Sequence, residues 1–524
     1  MIATSSGRTS TPCPAKVTAA SERRDARRAS RLSVVEGEYT APLLEDDRNT
    51  YHSPGTVPGH PVPPEIHPLP TSLDAACPPG SDHTDPVLVR QRQRESAART
   101  YPRRIPLNLV SGRGVIVRDR RGDEYLDCLA GAGTLALGHN HPVVIAAIQR
   151  ALDDEVPLTT LDIATPTKDA FVEELFAALP SSLADGRIQF CGPSGADAVE
   201  AALKLAKTAT GRSGIVAFGG GYHGMTHGAL AVTGAWGPKL ALGPLAADVH
   251  HLPFPTSYRC PFGSARDPQA EASAELCART LDWALHDDHS GITPPAAVLL
   301  EPVQGEGGVH PAPNRFARSV RASTRAAGSV LIADEVQTGL GRTGTLWASS
   351  PLGLDPDVLV LSKAIGGGLP LAVIVYRRDL DVWSAGAHAG TFRGNQLAMA
   401  AGTATIRHVV AEGLAEHAAT MGQRLMAGLQ SVSSGFEIVG DVRGRGLMVG
   451  VELVDQTRLG PTGAPEPDGT AAARIQRTML ERGVIVEVGG RGDAVVRFLP
   501  PLIIDAARID QIIDTFALAL SGKP

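Results

Sequence analysis

Lys363 stands in "VLVLSKAIGGGLPLAVIV" (residues 358–375), between two apolar runs and beside a patch of glycine. Burying an ammonium in such a place costs several kcal/mol unless it is paired or neutral. A neutral amine, by contrast, is a nucleophile near neutral pH, because burial lowers a lysine pKa by as much as ~3–5 units. Scarcity sharpens the choice. Of the 49 basic residues, seven are lysines and 42 are arginines. Lys16 and Lys523 lie near the ends, Lys204 and Lys207 in a helical stretch, Lys168 and Lys239 in polar or glycine-rich surroundings. Lys363 alone follows an apolar strand.

Three other stretches carry residues of matching chemistry. "CGPSGADAVEAALKLAKTATG" (191–211) begins a helix at Ser194, with Asp197 placed to complete a capping box. The backbone N–H groups there, with glycine at 195, suit a phosphate, although the stretch alone also reads as a plain helix cap. "GIVAFGGGYHGMTHG" satisfies the dinucleotide fingerprint through Gly219, Gly221 and Gly224. The following residues are interrupted by Gly and Pro where that fingerprint needs a helix, so a nicotinamide-dependent dehydrogenase is disfavoured. Tyr222 or His223 offers a flat stacking surface instead. "VLIADEVQTGLGRTG" (330–344) ends a strand on Asp334 and Glu335. Neighbours on a strand point to opposite faces, so only one of these carboxylates serves a given pocket.

A phosphate on the 194–196 helix start, an aromatic ring against Tyr222 or His223, a carboxylate at Asp334 for a protonated ring nitrogen, and a desolvated Lys363 facing an aldehyde together describe pyridoxal 5'-phosphate. The lysine, released when an amine substrate takes its place, is positioned to move a proton as general acid–base. No His/Cys cluster points to a metal.

The elements that must position these groups can be read along the chain. At 524 residues, 43% hydrophobic and 20% charged, the composition is that of a soluble globular protein with more than one domain. A net charge of −6 gives no reason to expect nucleic acid or an anionic membrane as partner. No apolar run approaches a transmembrane span. Six scattered cysteines without a CxxC pair fit a reduced, cytoplasmic enzyme. Residues 1–88, rich in Pro, Ser, Thr and Arg, are expected to be a disordered tail. Interspersed acids (Glu36, Glu38, Glu45, Asp46, Asp47) make a transit peptide the weaker reading. "GVIVRDRRGDEYLDCLAG" (114–131) turns like a hairpin around Arg121-Gly122. From about 187 to 376, "RIQFCG", "GIVAFGGG", "AAVLLEP", "VLIADE" and "VLVLSK" read as buried strands separated mostly by helical or irregular stretches. The alternation predicts an α/β fold with a mostly parallel sheet, whose strand ends gather Ser194, Tyr222, His223, Glu301, Asp334 and Lys363. The expected partition is a segment 89–155 contributing to a small domain, a large α/β domain 156–402, and a small α+β domain 403–524.

With these residues in view, the chain from about 92 to 520 resembles the class III pyridoxal-phosphate aminotransferases of fold type I. The resemblance rests on "LLEPVQGEGGV", "LIADEVQTGLGRTG", "LSKAIGGGLPL" and "GTFRGNQLAMAAG", in the family's order and spacing. It implies that Lys363 bonds the cofactor aldehyde, Asp334 pairs with the pyridine nitrogen, Val336 packs on one ring face and Gln337 lies near the ring hydroxyl. Ser194, Gly195 and the Ala196 N–H would hold the phosphate. Many relatives carry a hydroxyl where Ala196 stands, a contact worth on the order of 1 kcal/mol. Thr391 would reach the phosphate of a neighbouring subunit, which implies a homodimer. The resemblance further implies that Arg443 of "VRGRG" binds the carboxylate of 2-oxoglutarate and that Glu306 neutralises it when the other substrate binds; Glu301, at a strand end, is expected to bind substrate as well.

Within the class, "CLAGAGTLALGHNHP" and "HLPFPTSYRCPFG", among other stretches, are similar to enzymes acting on L-2,4-diaminobutyrate and 2-oxoglutarate. Other amine donors (4-aminobutyrate, ornithine, a polyamine) and a pyridoxal-phosphate aminomutase remain alternatives. A non-catalytic binding module is the reading left if Lys363 does not bond the cofactor.

Overall fold

The computed structural model describes residues 85–262 and 271–522. The expected tail falls outside the described residues except at its end. There Asp85 caps a helix, Pro86–Arg94, by accepting from the Val87 N–H at 2.8 Å, so this helix spans the expected boundary at 88.

The central sheet runs in the order Arg187–Phe190, Val373–Tyr376, Val358–Leu361, Val330–Asp334, Ala297–Leu300, Ile215–Phe218, Val249–Leu252. Its pairings are parallel except the two made by Val373–Tyr376, which runs against its neighbours. Most of these strands are buried along their whole length, as in a sheet covered on both faces. The period-two alternation of side chains splits the core accordingly. Ile215, Leu299, Ile332 and Val360 pack towards the helix Gly195–Thr210. Phe218, Leu300, Leu331 and Leu361 pack on the other side, with Phe316 and Val320 of the helix Asn314–Ala327. This is the α/β architecture the sequence predicts. Because the remaining strands run the same way, the loops after Phe190, Phe218, Leu300, Asp334 and Leu361 emerge at one edge.

Among the described residues there are also two accessory sheets and a two-stranded ribbon, Val303–Gln304 with His310–Pro311. The expected hairpin, Ile116–Asp119 with Glu124–Asp127, turns through Gly122 at φ +93°. Its second strand pairs in parallel with Val484–Ile485 from the C-terminal part. The other sheet orders Val439–Arg445, Met448–Leu459, Val495–Phe498 and Glu487–Gly489. Within it, Glu487 lies directly opposite Arg497. No helix among the described residues is long and apolar enough to cross a membrane.

Candidate active site

The strand-end loops enclose a cavity of ≈ 310 Å³, lined by Ser194 to Ala196, Tyr222 to Met225, Glu301, Glu306, Asp334, Val336, Gln337 and Lys363. Lys363 follows Val358–Leu361 by two residues and opens a short turn, Lys363–Gly366, with φ at +50°. A left-handed conformation at a residue other than glycine costs about 1–3 kcal/mol and persists where surrounding structure enforces it. Burial lowers the Lys363 pKa, opposed by the carboxylates of Glu306 and Asp334. The lysine is thereby shifted towards the free amine.

Asp334 ends its strand facing the cavity. Its Oδ2 lies 2.8 Å from His223 Nδ1, and its Oδ1 accepts from the Val336 N–H at 3.0 Å. Glu335 points to the opposite face, where it accepts from Thr338, Ala348 and Ser349. Only one of the two neighbouring carboxylates therefore reaches the pocket, as strand geometry requires. His223 is buried and its ring is engaged by Asp334. Both aromatic rings left open by sequence line the cavity, and of the two Tyr222 is the partly exposed one.

The helix start at Ser194 is built differently from the expected capping box. Ser194 Oγ accepts from the Asp197 N–H at 3.3 Å, but Asp197 does not reach back to Ser194. Its carboxylate takes the Gly192 N–H and lies 3.0 Å from His388 Nε2, which leaves Ser194 N–H to the Gly192 carbonyl. Cys191, Asp197 and His388 do bring ligand-type atoms within 4.8 Å of one another. Burial pushes the Cys191 thiol far up, however, and the Asp197 carboxylate is already hydrogen-bonded. The first N–H groups of the 16-residue helix Gly195–Thr210 face the cavity end without intrahelical acceptors. A Cβ at Gly224, whose φ is +129°, would fall 2.5 Å from Ala196 Cβ. The turn after Tyr222 thus seats on Ala196 only because it is glycine.

Glu301 joins two walls of the site: its Oε1 takes the Tyr222 N–H at 2.8 Å and its Oε2 takes the Gly305 N–H at 2.9 Å. Burial raises its pKa to about 7, against the field of His223. Gln337 donates to the Ala132 carbonyl at 3.0 Å and accepts from Arg497 Nη2 at 3.2 Å.

Glu306 does not meet Arg443, contrary to the sequence expectation. Glu306 Oε1 accepts from Arg497 Nη1 at 2.7 Å. Burial raises the Glu306 pKa, but Arg497 more than offsets it and holds the carboxyl below its ordinary value. Arg443 lies behind the Gly305–Val309 turn and lines a separate cavity. Its guanidinium donates to the carbonyls of Gly308 (2.9 Å) and Val309 (3.1 Å) and to Glu452 (2.7 Å) and Asp441 (3.1 Å). The reason is topological: Val439–Arg445 is the outer strand of its sheet, separated from Val495–Phe498 by the strand Met448–Leu459. Arg497 had a readable signal, a lone cation inside the apolar strand "VVRFLPPL", the feature that singles out Lys363. Glu487, opposite it, and Tyr101, whose hydroxyl donates to Glu487 at 2.7 Å, gave no comparable signal. Thr391 does not line the cavity of its own chain; it begins a short turn, Thr391–Gly394, and is exposed.

The residues present fit pyridoxal phosphate. A lysine lowered by burial, an anchored carboxylate, a helix start with unclaimed N–H groups, and an aromatic and an aliphatic wall share one small cavity.

Comparison with known proteins agrees. The family model for aminotransferase class-III matches residues 97–520. A diaminobutyrate–2-oxoglutarate aminotransferase of Rhizobium meliloti (strain 1021) is 55% identical over 434 residues, covering 82% of this chain and 92% of that protein. One of the same description from Haemophilus influenzae is 47% identical over 430 residues, covering 82% and 93%. Among solved structures, an amine transaminase from an uncultivated Pseudomonas species, in its pyridoxal-phosphate-bound form, superposes with a TM-score of 0.73 at 31% identity. It covers 82% of this chain and 98% of its own.

Proposed function

Since the chain belongs to the class-III aminotransferases, which depend on pyridoxal phosphate, we propose that it moves the terminal amino group of L-2,4-diaminobutyrate to 2-oxoglutarate, giving aspartate 4-semialdehyde and glutamate. The observation that carries this reading is the Glu306–Arg497 pair beside Lys363. An aminotransferase of this kind must admit, at one site, a carbon bearing a carboxylate and a carbon bearing none. A cation that can be neutralised by a side chain meets that demand.

Pyridoxal phosphate, when bound, supplies an aldehyde that bonds the substrate amine and a ring that delocalises the electron pair left by deprotonation. The protein's own groups do the rest. The Ser194–Ala196 backbone would hold the phosphate, and Tyr222 and Val336 would form the walls on the two sides of the ring. Asp334, fixed by His223 and the Val336 N–H, favours a protonated ring nitrogen. Lys363 Nζ takes the proton from the reacting carbon and later returns it. Glu306 stays on Arg497 while the diamine reacts and withdraws when the 2-oxoglutarate carboxylate takes its place.

We further propose a homodimer in which Thr391 contributes to the partner's phosphate site. In support, the segment around Leu158–Ile163 packs beside the Thr391 turn, through the Gln396 N–H to Leu158 carbonyl bond, and leaves Leu158, Ile163 and Phe392 exposed. The 89–155 and 403–524 segments form the small domain around the large domain 156–402, a division supported by the pairing of Leu126 with Val484. We also propose a cytoplasmic location, since the scattered cysteines suit a reducing compartment.

The test is an amino-donor panel with 2-oxoglutarate and identification of the carbonyl product. Turnover of diaminobutyrate to the semialdehyde is expected. Preference for 4-aminobutyrate, ornithine or a polyamine would replace the donor, and turnover without 2-oxoglutarate would make the enzyme an aminomutase.

A further inference from the structure

Arg497 is fully buried and faces two carboxylates. Glu306 lies 2.7 Å and Glu487 3.2 Å from its Nη1. The two differ in how they are held. Glu306 belongs to the Gly305–Val309 turn, and its side chain is 37% exposed. Glu487 sits on a strand in cross-strand register with Arg497, is buried, and has its Oε1 fixed by the Tyr101 hydroxyl at 2.7 Å. Its Oε2 accepts no hydrogen bond, and neither does Arg497 Nε donate one. One acid can leave; the other is locked by the backbone ladder.

We propose that Glu487 is a fixed second counter-ion of Arg497, a positioning residue that sets how the enzyme divides its affinity between a cationic diamine donor and a dicarboxylate acceptor. The inference rests on the donor reading given above. With Glu306 in place, one guanidinium meets two carboxylates, and the cluster is net negative. A 2,4-diaminoacid, with two ammonium groups and one carboxylate, is attracted to it. With Glu306 withdrawn, Arg497 is still half compensated, so a carboxylate entering there binds less tightly than it would to a bare guanidinium. In an interior of low effective dielectric such a charge is felt across the width of the site. The arrangement limits trapping of the enzyme by 2-oxoglutarate or glutamate while keeping the donor's affinity.

The experiment compares wild-type holoenzyme with Glu487→Gln, which keeps an acceptor for Tyr101 but removes the charge, in the two half-reactions followed separately through the cofactor absorbance. The apparent dissociation constant for 2-oxoglutarate is expected to fall roughly five- to tenfold and that for diaminobutyrate to rise by a similar factor, with the maximal rates little changed. Glu487→Asp should keep the wild-type ratio. Opposite signs for the two substrates are a result that general loosening of the site does not produce. Parallel losses, or no change, would overturn the inference, as would failure of both Glu487→Gln and Glu487→Met to retain cofactor, which would mark the residue as structural. Failure of the wild-type enzyme to use diaminobutyrate at all would instead remove the functional proposal itself, so the two failures are distinguishable.

Discussion

Glu306 Oε1 and Arg497 Nη1 are 2.7 Å apart at the edge of the cavity that holds Lys363. The pair joins a loop to a strand, so it can open by movement of the loop alone. Replacing Arg497 with Gln should raise the KM for 2-oxoglutarate on the order of a hundredfold, or ~3 kcal/mol. The diamine half-reaction, which needs no cation there, should change far less. Half-reaction kinetics with each substrate check this; equal losses in both would remove the clamp from Arg497.

Arg443 tests the same assignment from the other side. Its guanidinium bonds the turn's carbonyls and two acids, Asp441 and Glu452, away from the cavity. Arg443→Ala should therefore destabilise the holoenzyme by about 1–3 kcal/mol, since it leaves the buried Gly308 and Val309 carbonyls without their donor and takes from Glu452 one of its two cations, the other being Arg259. Denaturant unfolding measures this. A selective rise in the KM for 2-oxoglutarate with unchanged stability would instead return the role of the clamp to Arg443.

Lys363→Ala should cut turnover by at least ~10³-fold while cofactor still binds non-covalently. In the wild type, borohydride reduction followed by peptide mapping should place the pyridoxyl label on residue 363. A label at any other lysine would dismantle the site.

Glu301 makes stability depend on pH. Its folded pKa of about 7 lies above the ordinary 4.5, so the native state retains a proton that the unfolded chain has released. The contribution is full below about pH 4.5 and is lost as pH rises through about 7, by ~3 kcal/mol in all. Glu301→Gln should flatten that part of the profile, at a general cost of about 1–3 kcal/mol for the backbone N–H left without its acceptor. Unfolding free energies between pH 5 and 8 decide it; an unchanged slope in the variant would show that Glu301 is not the group responsible.

The α/β architecture was legible because strands buried on both faces are nearly continuous apolar runs. Chemistry placed at their carboxyl ends was legible for the same reason, as with Asp334 and Lys363. Asp197 was misread because its partner His388 is remote in sequence, and a local motif gives no sign of a distant competitor. Tyr222 and His223 could not be separated, since adjacent residues in a loop have no fixed period.

What the sequence determined alone is a set of local facts: a lysine in apolar surroundings, a carboxylate on one face of a strand, a helix start that leaves N–H groups free. Each follows from the period of one element or the desolvation of one charge. Which arginine meets Glu306 was a different question. Arg443 and Arg497 lie on different strands of one sheet, and only the order of those strands sets one against Glu306 and Gln337 of the cavity wall and the other behind the turn. Strand order is set by pairing between distant segments, with energies spread over the whole sheet, so no short stretch contains it.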